Sequence, residues 1–203
     1  MIKNLIFDFG KVLVDYDFEA FFKKHVPDEE RRRNLSPILY NVELQQLLDR
    51  EDKPFEEIME EVVDKNKEFE HEIRIFMRLY PEIVTGEVPG MRKLLAQMKE
   101  EGYKLYGLTN WCSMVYSTMD RFEIFKLLEG EVISSELHLI KPEAAIYNSL
   151  FEKFHLNPQE CVFTDDRPEN IEGGKALGMD GIVFLNALQY ERELRTILDS
   201  RNG

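Results

Sequence analysis

Near its start the chain runs Leu5-Ile6-Phe7, an unbroken apolar stretch that meets an acid at Asp8 and a glycine at Gly10. A short run of this kind predicts a buried strand. From residue 16 to residue 86 the pattern changes to helical spacing with no strong strand signal. Phe55, Ile58, Met59 and Val62 share one helical face, and Pro54 suits a first turn. Thr85-Gly86-Glu87-Val88-Pro89-Gly90 is a break, with two glycines and a proline close together. After it strands and helices alternate. The pattern predicts a helix over 91–101 stopped by Gly102, a strand over 104–109 and a helix near 113–121. A short strand over 131–134, a helix over 143–154 and a strand over 161–164 follow. The last elements are a helix over 171–177 stopped by Gly178, a strand over 181–184 and a helix over 188–198.

Strands alternating with helices indicate a parallel sheet. The expected fold class is therefore α/β: a doubly wound, Rossmann-like parallel sheet core over residues 1–15 and 87–203, interrupted by an all-helical subdomain over 16–86. No internal repeat or low-complexity segment disturbs that picture.

Composition narrows the function classes. With 203 residues, of which 43% are hydrophobic, the chain can bury a sizeable core. A net charge of −13 argues against a nucleic-acid partner, which needs clustered Lys and Arg. The helical stretch is itself acidic, with 18 Asp or Glu against 11 Lys or Arg. Its Arg31-Arg32-Arg33 follows Asp28-Glu29-Glu30 and reads as a self-neutralised, solvated face. Cys112 and Cys161 have no metal-ligand spacing, which fits a reducing compartment. The first strand begins almost at Met1, and no uncharged apolar stretch of about 18 residues occurs, so neither a signal peptide nor a membrane span is expected. A cytoplasmic monomer or homodimer is the expectation.

Four segments place polar groups at strand ends or just beyond: Asp8, Leu108-Thr109-Asn110, Lys141-Pro142-Glu143, and Thr164-Asp165-Asp166-Arg167. In a parallel sheet these ends face one way, and ligands bind beyond them. Together they suit a phosphate and Mg²⁺ site. Mg²⁺ uses one or two carboxylates, waters and phosphate oxygens, and Asp8 and Asp166 supply the carboxylates with Asp165 close by. Gly10 contributes its backbone carbonyl. Thr109 offers a hydroxyl, Lys141 a compact positive charge, and the amides of Asn110 and of the loop after Asp8 a cradle. Asp8 is then the nucleophile that accepts a phosphoryl group. Other candidates read more plainly. Asp15 and Asp17 suit solvated or capping roles, and His25, His71, His138 and His155 show no paired metal spacing. Trp111 and the aromatics Phe18, Phe21 and Phe22 suit packing first, with pocket lining the alternative for Trp111 and a sugar-facing position the alternative for one of the three phenylalanines.

With these four segments in order, the chain resembles the haloacid dehalogenase superfamily along essentially its full length. The motifs are Asp8-Phe9-Gly10-Lys11-Val12-Leu13, Leu108-Thr109-Asn110, Lys141-Pro142-Glu143 and Phe163-Thr164-Asp165-Asp166. Within the superfamily it is most similar to the α-glucose-1-phosphatase-like subgroup and to the N-terminal phosphatase domain of soluble epoxide hydrolase. The resemblance implies that the helical insert is a cap that selects substrate, and that the activity is Mg²⁺-dependent hydrolysis of a small phosphorylated metabolite such as a sugar phosphate, through an aspartyl-phosphate.

One position departs from the pattern. Most phosphatases of the superfamily carry Asp where this chain has Gly10, and that acid serves as general acid and base, help typically worth ~10²–10⁴-fold. Lys11 also stands where the subgroup has Asn. Three outcomes are open on sequence: another group substitutes, from the cap or a water; the enzyme is slow or restricted to good leaving groups; or the scaffold binds phosphosugars without turning them over. The superfamily's 2-haloacid dehalogenases also lack the second acid, but the pair Asp165-Asp166 would repel a departing halide, which ranks that activity lower.

Overall fold

The computed structural model describes residues 1–203. β1 (Asn4–Phe7) is buried at every position, because it is the central strand of a five-stranded sheet and is covered on both faces. Such strands read as continuous apolar runs. Past Asp8 the chain turns, with the Leu13 and Val14 N–H groups both donating to Phe9 O (2.9 and 3.0 Å). Val12 and Leu13 therefore leave the sheet and feed a second strand.

That strand, β2 (Val14–Tyr16), leads into five helices: α1 (Phe18–His25), α2 (Glu29–Leu39), α3 (Val42–Arg50), α4 (Phe55–Lys65) and α5 (Glu70–Leu79). β3 (Val84–Glu87) returns antiparallel to β2, pairing Val14 with Glu87, Asp15 with Gly86 and Tyr16 with Val84. The insert is thus helical inside but fastened by a two-stranded ribbon, where the sequence pattern suggested helix up to a break. Strands of three and four residues are too short to show a period, and Gly86 with Pro89 masks the second. Three of the five helices start on side-chain caps: Asp17 accepts from Ala20 N, Asp28 from Arg31 N and Asn41 from Leu44 N (2.8, 2.8 and 2.9 Å). Asp17 is a cap, as expected.

The rest alternates: α6 (Met91–Glu100), β4 (Lys104–Thr109), α7 (Val115–Met119), β5 (Gly130–Ile133), α8 (Ser134–Leu137), α9 (Ala144–Phe154), β6 (Cys161–Asp165), α10 (Pro168–Lys175), β7 (Asp180–Val183) and α11 (Ala187–Asn202). Gly102 (φ 95°) and Gly178 (φ 100°) follow α6 and α10 in the left-handed conformation that closes helices. Every pairing in the main sheet is parallel, in the order β5-β4-β1-β6-β7. The order reverses direction between β1 and β6, the point at which open α/β sheets bind ligands.

Side chains alternate across this sheet. Ile6, Leu108 and Phe163 pack with α9 and α10 on one face, in a cluster with Tyr147, Leu150 and Ile171. Leu5, Phe7, Leu105 and Val162 face the other way, toward α6 and α11. This second cluster continues without a break through Val14 and Ile83 into Phe76, Met59 and Leu48 of the helical insert. One apolar core thereby fixes the insert on the sheet. No helix is long and apolar enough to cross a membrane.

Candidate active site

The four segments singled out from sequence meet at the C-terminal edge of the sheet. Asp8 follows β1, Thr109 ends β4, and Asp165 ends β6, with Phe7 beside Thr164 and Gly107 in the ladders. Lys141 reaches in from the loop before α9. Its ammonium is 2.9 Å from Asp8 Oδ1 and 2.7 Å from Asp165 Oδ2, and it donates to Leu108 O at 2.9 Å. An ammonium has three N–H donors, so all are in use, on a side chain only 1% exposed. Burial draws the Lys141 pKa down, but Asp165 and Asp8 more than reverse that and hold it above the ordinary lysine value.

Asp165 is wholly buried and accepts four further or shared contacts: Arg167 N at 2.8 Å, Asn170 Nδ2 at 3.0 Å on each oxygen, and Lys141 at 2.7 Å. Three donor nitrogens, making four contacts, occupy both oxygens of the carboxylate. Asp165 lies in the acid cluster, where oxygens of Asp8, Asp165 and Asp166 fall within 4.8 Å of one another, but its lone pairs are engaged in holding Lys141. Asp166 is half-buried and faces the cavity; burial and then Asp165 push its carboxyl up. Burial, with Asp165 and Asp166 adding to it against the pull of Lys141, raises Asp8 to about 7. Three carboxylates around one ammonium leave two negative charges when all are ionised, a charge that suits one divalent oxygen-seeking cation, with Asp8 and Asp166 having oxygens to offer it.

The carboxamide of Asn110 does not face a ligand. It accepts from Lys141 N at 2.8 Å and donates to Lys141 O at 3.1 Å, so the side chain fixes the Lys141 peptide. What Asn110 leaves free is its backbone N–H. Like those of Phe9 and Gly10, it makes no hydrogen bond within the protein. These three N–H groups are the ones that the sequence reading offers as a cradle, and they are unbonded. Thr109 is wholly buried and its Oγ1 has no partner.

Tyr16 occupies the space beside Gly10. A Cβ at Gly10 would lie 3.0 Å from Tyr16 Cε1, so an acid at position 10 would have to push the ring aside. Lys11 fastens that ring: its ammonium pairs with Asp15, donates to Tyr16 O at 2.8 Å and sits 4.4 Å from the ring centroid. Lys11 is therefore turned toward the ribbon and not toward the phosphate cradle.

A cavity of about 370 Å³ lies over these groups, with Asp8, Gly10, Lys141 and Asp166 in its floor. Its roof comes from the insert: Phe18, Tyr40 and Asp49, with Trp111 of the core in the wall. Trp111 and Phe18 thus line the cavity and are more than packing residues, while Phe21 and Phe22 are buried in the core. Tyr16, Tyr40 and Asp49 are site residues that the sequence pattern did not reveal. Each comes from the insert or its ribbon, where no motif marks it.

The sequence profile of the haloacid dehalogenase-like hydrolases matches residues 5–184. The chain belongs to this family. Among relatives of this haloacid dehalogenase-like hydrolase is the D-ribitol-5-phosphate phosphatase of Bacteroides thetaiotaomicron, 27% identical over 98% of this chain and 100% of that protein. A glyceraldehyde 3-phosphate phosphatase of Pyrococcus abyssi is 25% identical over 91% of this chain and 82% of its own length. A solved haloacid dehalogenase-family enzyme of B. thetaiotaomicron, in complex with magnesium and inorganic phosphate, has the same fold. Its TM-score is 0.70, with 20% identity over 92% of this chain and 96% of that one. The L-2-haloacid dehalogenase of Xanthobacter autotrophicus shares it too, at TM-score 0.67 and 16% identity over 97% and 83% of the two chains.

Proposed function

We propose that this haloacid dehalogenase-like hydrolase is a Mg²⁺-dependent phosphatase of a small phosphorylated metabolite, a sugar or polyol phosphate, working through an aspartyl-phosphate on Asp8. The observation that carries the reading is the buried strap of Lys141 between Asp8 and Asp165 beneath a cavity floored by Asp166. It holds one carboxylate oxygen of Asp8 still and leaves the other for attack.

Asp8, Asp166 and the Gly10 carbonyl would hold Mg²⁺, which when bound neutralises the charge of the phosphoryl oxygens. The free N–H groups of Phe9, Gly10 and Asn110, with the unpartnered Thr109 hydroxyl, supply donors to those oxygens. Positioning and charge stabilisation of this kind dominate phosphoryl transfer. When Asp8 becomes an ester it loses its charge, and the Lys141 N–H that was on Oδ1 is released to the phosphoryl group. The phosphatase relatives support a small phosphorylated substrate, and the cavity volume suits one.

The test is release of inorganic phosphate from a panel of sugar and polyol phosphates, with Mg²⁺ and with chelator. Turnover is expected with Mg²⁺ only, and is expected to vanish in Asp8→Asn. Mg²⁺-dependent turnover retained in Asp8→Asn would refute the nucleophile. Saturable phosphosugar binding without turnover would instead show a binding protein on this scaffold.

A further inference from the structure

We infer that Asp49, at the end of α3 in the insert, supplies the general acid and base that Gly10 lacks, serving the reaction proposed above from the opposite wall of the cavity.

Asp49 faces the same cavity as Asp8, Gly10, Lys141 and Asp166. Its carboxylate forms no ion pair and accepts no hydrogen bond; only its main chain is engaged, with Asp49 O accepting from Ser134 Oγ at 2.5 Å. A half-buried acid with unspent lone pairs in a ligand cavity is uncommon, because burial without partners is costly.

Its placement is fixed from the core side. Ser134 Oγ, which holds Asp49 O, also accepts from Trp111 N at 2.9 Å, directly after the Thr109-Asn110 motif. Arg50 donates to Glu143 Oε1 at 2.5 Å and to His138 O at 2.9 Å, on either side of Lys141. Glu51 accepts from Ser113 N and Oγ at 2.5 and 2.7 Å. Three consecutive residues of the insert are thus tied to the loops that carry the phosphate and lysine motifs. At the alternative location, beside Gly10, the Tyr16 ring would have to shift to admit an acid.

The surroundings suit both roles. Burial first, then the charge of Asp8, raises the Asp49 carboxyl to about 7, with Lys141 and Arg167 opposing. Tyr16, Tyr80 and Cys112 also sense its charge. An acid poised near neutrality serves proton transfer best in both directions. In the first step an Asp8 oxygen bonds to phosphorus, the ester P–O bond breaks, and the departing oxygen takes the Asp49 proton to leave as an alcohol. In the second, a water oxygen bonds to phosphorus, its proton goes to the Asp49 carboxylate, and the P–O bond to Asp8 breaks. Phosphate leaves, Asp8 is again a carboxylate and Asp49 again an acid.

The experiment compares a sugar or polyol phosphate with p-nitrophenyl phosphate, whose leaving group needs no proton, in wild type, Asp49→Asn, Asp49→Glu and Asp8→Asn. Acid quench and mass spectrometry follow phosphorylated protein. Asp49→Asn is expected to lose ~10²–10⁴-fold on the alkyl ester, to form the phospho-enzyme from p-nitrophenyl phosphate at nearly the wild-type rate, and to accumulate it. Asp49→Glu should restore part of the alkyl activity. Equal losses in the rate of phospho-enzyme formation from the two esters, or no loss of turnover on either, would overturn the role of Asp49 while leaving the phosphatase reading intact. Wild-type protein inert on both esters, or Asp8→Asn as active as wild type, would remove both. An unchanged denaturation curve for Asp49→Asn separates these results from misfolding.

Discussion

Replacing Lys141 with methionine removes one ammonium from between two buried acids and keeps the volume. Nζ sits 2.7 Å from Asp165, which is wholly buried, and 2.9 Å from Asp8. Neither acid has another cationic side chain bonded to it. Breaking a buried pair by deleting one partner costs about 3–5 kcal/mol, because the remaining charge is left in a poorly solvating interior. For a chain of 203 residues, at roughly 2–4 °C per kcal/mol, Tm should fall by about 6–20 °C. The sign of the pH dependence follows. Without the lysine, which pulls it down, the folded-state pKa of Asp8 stands further above its unfolded value, so the folded state holds more protons in the window between. Stability then falls as pH rises through that window, and the deficit is largest at pH 8 and shrinks toward pH 5. Adding Asp165→Asn to Lys141→Met should recover a large part of the stability and none of the activity. Calorimetry or urea unfolding at the two pH values reads both effects. A Tm within about 2 °C of wild type at pH 8, or a deficit that does not shrink in acid, would refute the account of Lys141 as the strap of this site.

Three further substitutions test the neighbouring groups. Thr109→Val exchanges an unpartnered buried hydroxyl for a methyl, and should stabilise the ligand-free protein by ~1 kcal/mol while weakening inorganic phosphate binding; unfolding curves with and without phosphate separate the two. Mg²⁺ at 100 times its Kd should stabilise wild type by about 2.7 kcal/mol and leave Asp166→Asn unmoved, as a thermal shift against Mg²⁺ concentration would show. Gly10→Asp should add no turnover and should cost about 1–3 kcal/mol from crowding the Tyr16 ring. A gain in activity would mean that the ring yields.

What could be read from sequence and what could not divide along a physical line. Asp8, Thr109 and Asp166 were visible because each stands where an apolar strand stops, and in a parallel sheet all such ends open on one side. Gly102 and Gly178 marked helix ends because only glycine takes φ near 95–100° without strain. The division of labour within the site was hidden. That Asp165 serves Lys141 and that Asn110 spends its amide on the Lys141 peptide are matters of side-chain direction, settled only when strands and loops far apart in sequence are packed. The β2–β3 ribbon was too short to show a period. Asp49 was one acid among 18 in the insert, with nothing in its neighbours to distinguish it.

β1, which Asp8 follows, lies at the middle of the sheet, yet its hydrogen-bonded neighbours begin at Lys104 and Cys161. Helices α1 to α5 close on contacts made within a short span of chain, so they can form while synthesis continues. The central strand has no such option, since closing loops of this length must await its partners. Until β6 leaves the ribosome, Leu5-Ile6-Phe7 is an apolar strand with one edge unpaired, the kind of segment that seeds aggregation and recruits chaperones. Asp8 and the pair Asp165-Asp166 come together only once β6 has paired with β1, so the acid cluster depends on a contact between the two ends of the chain.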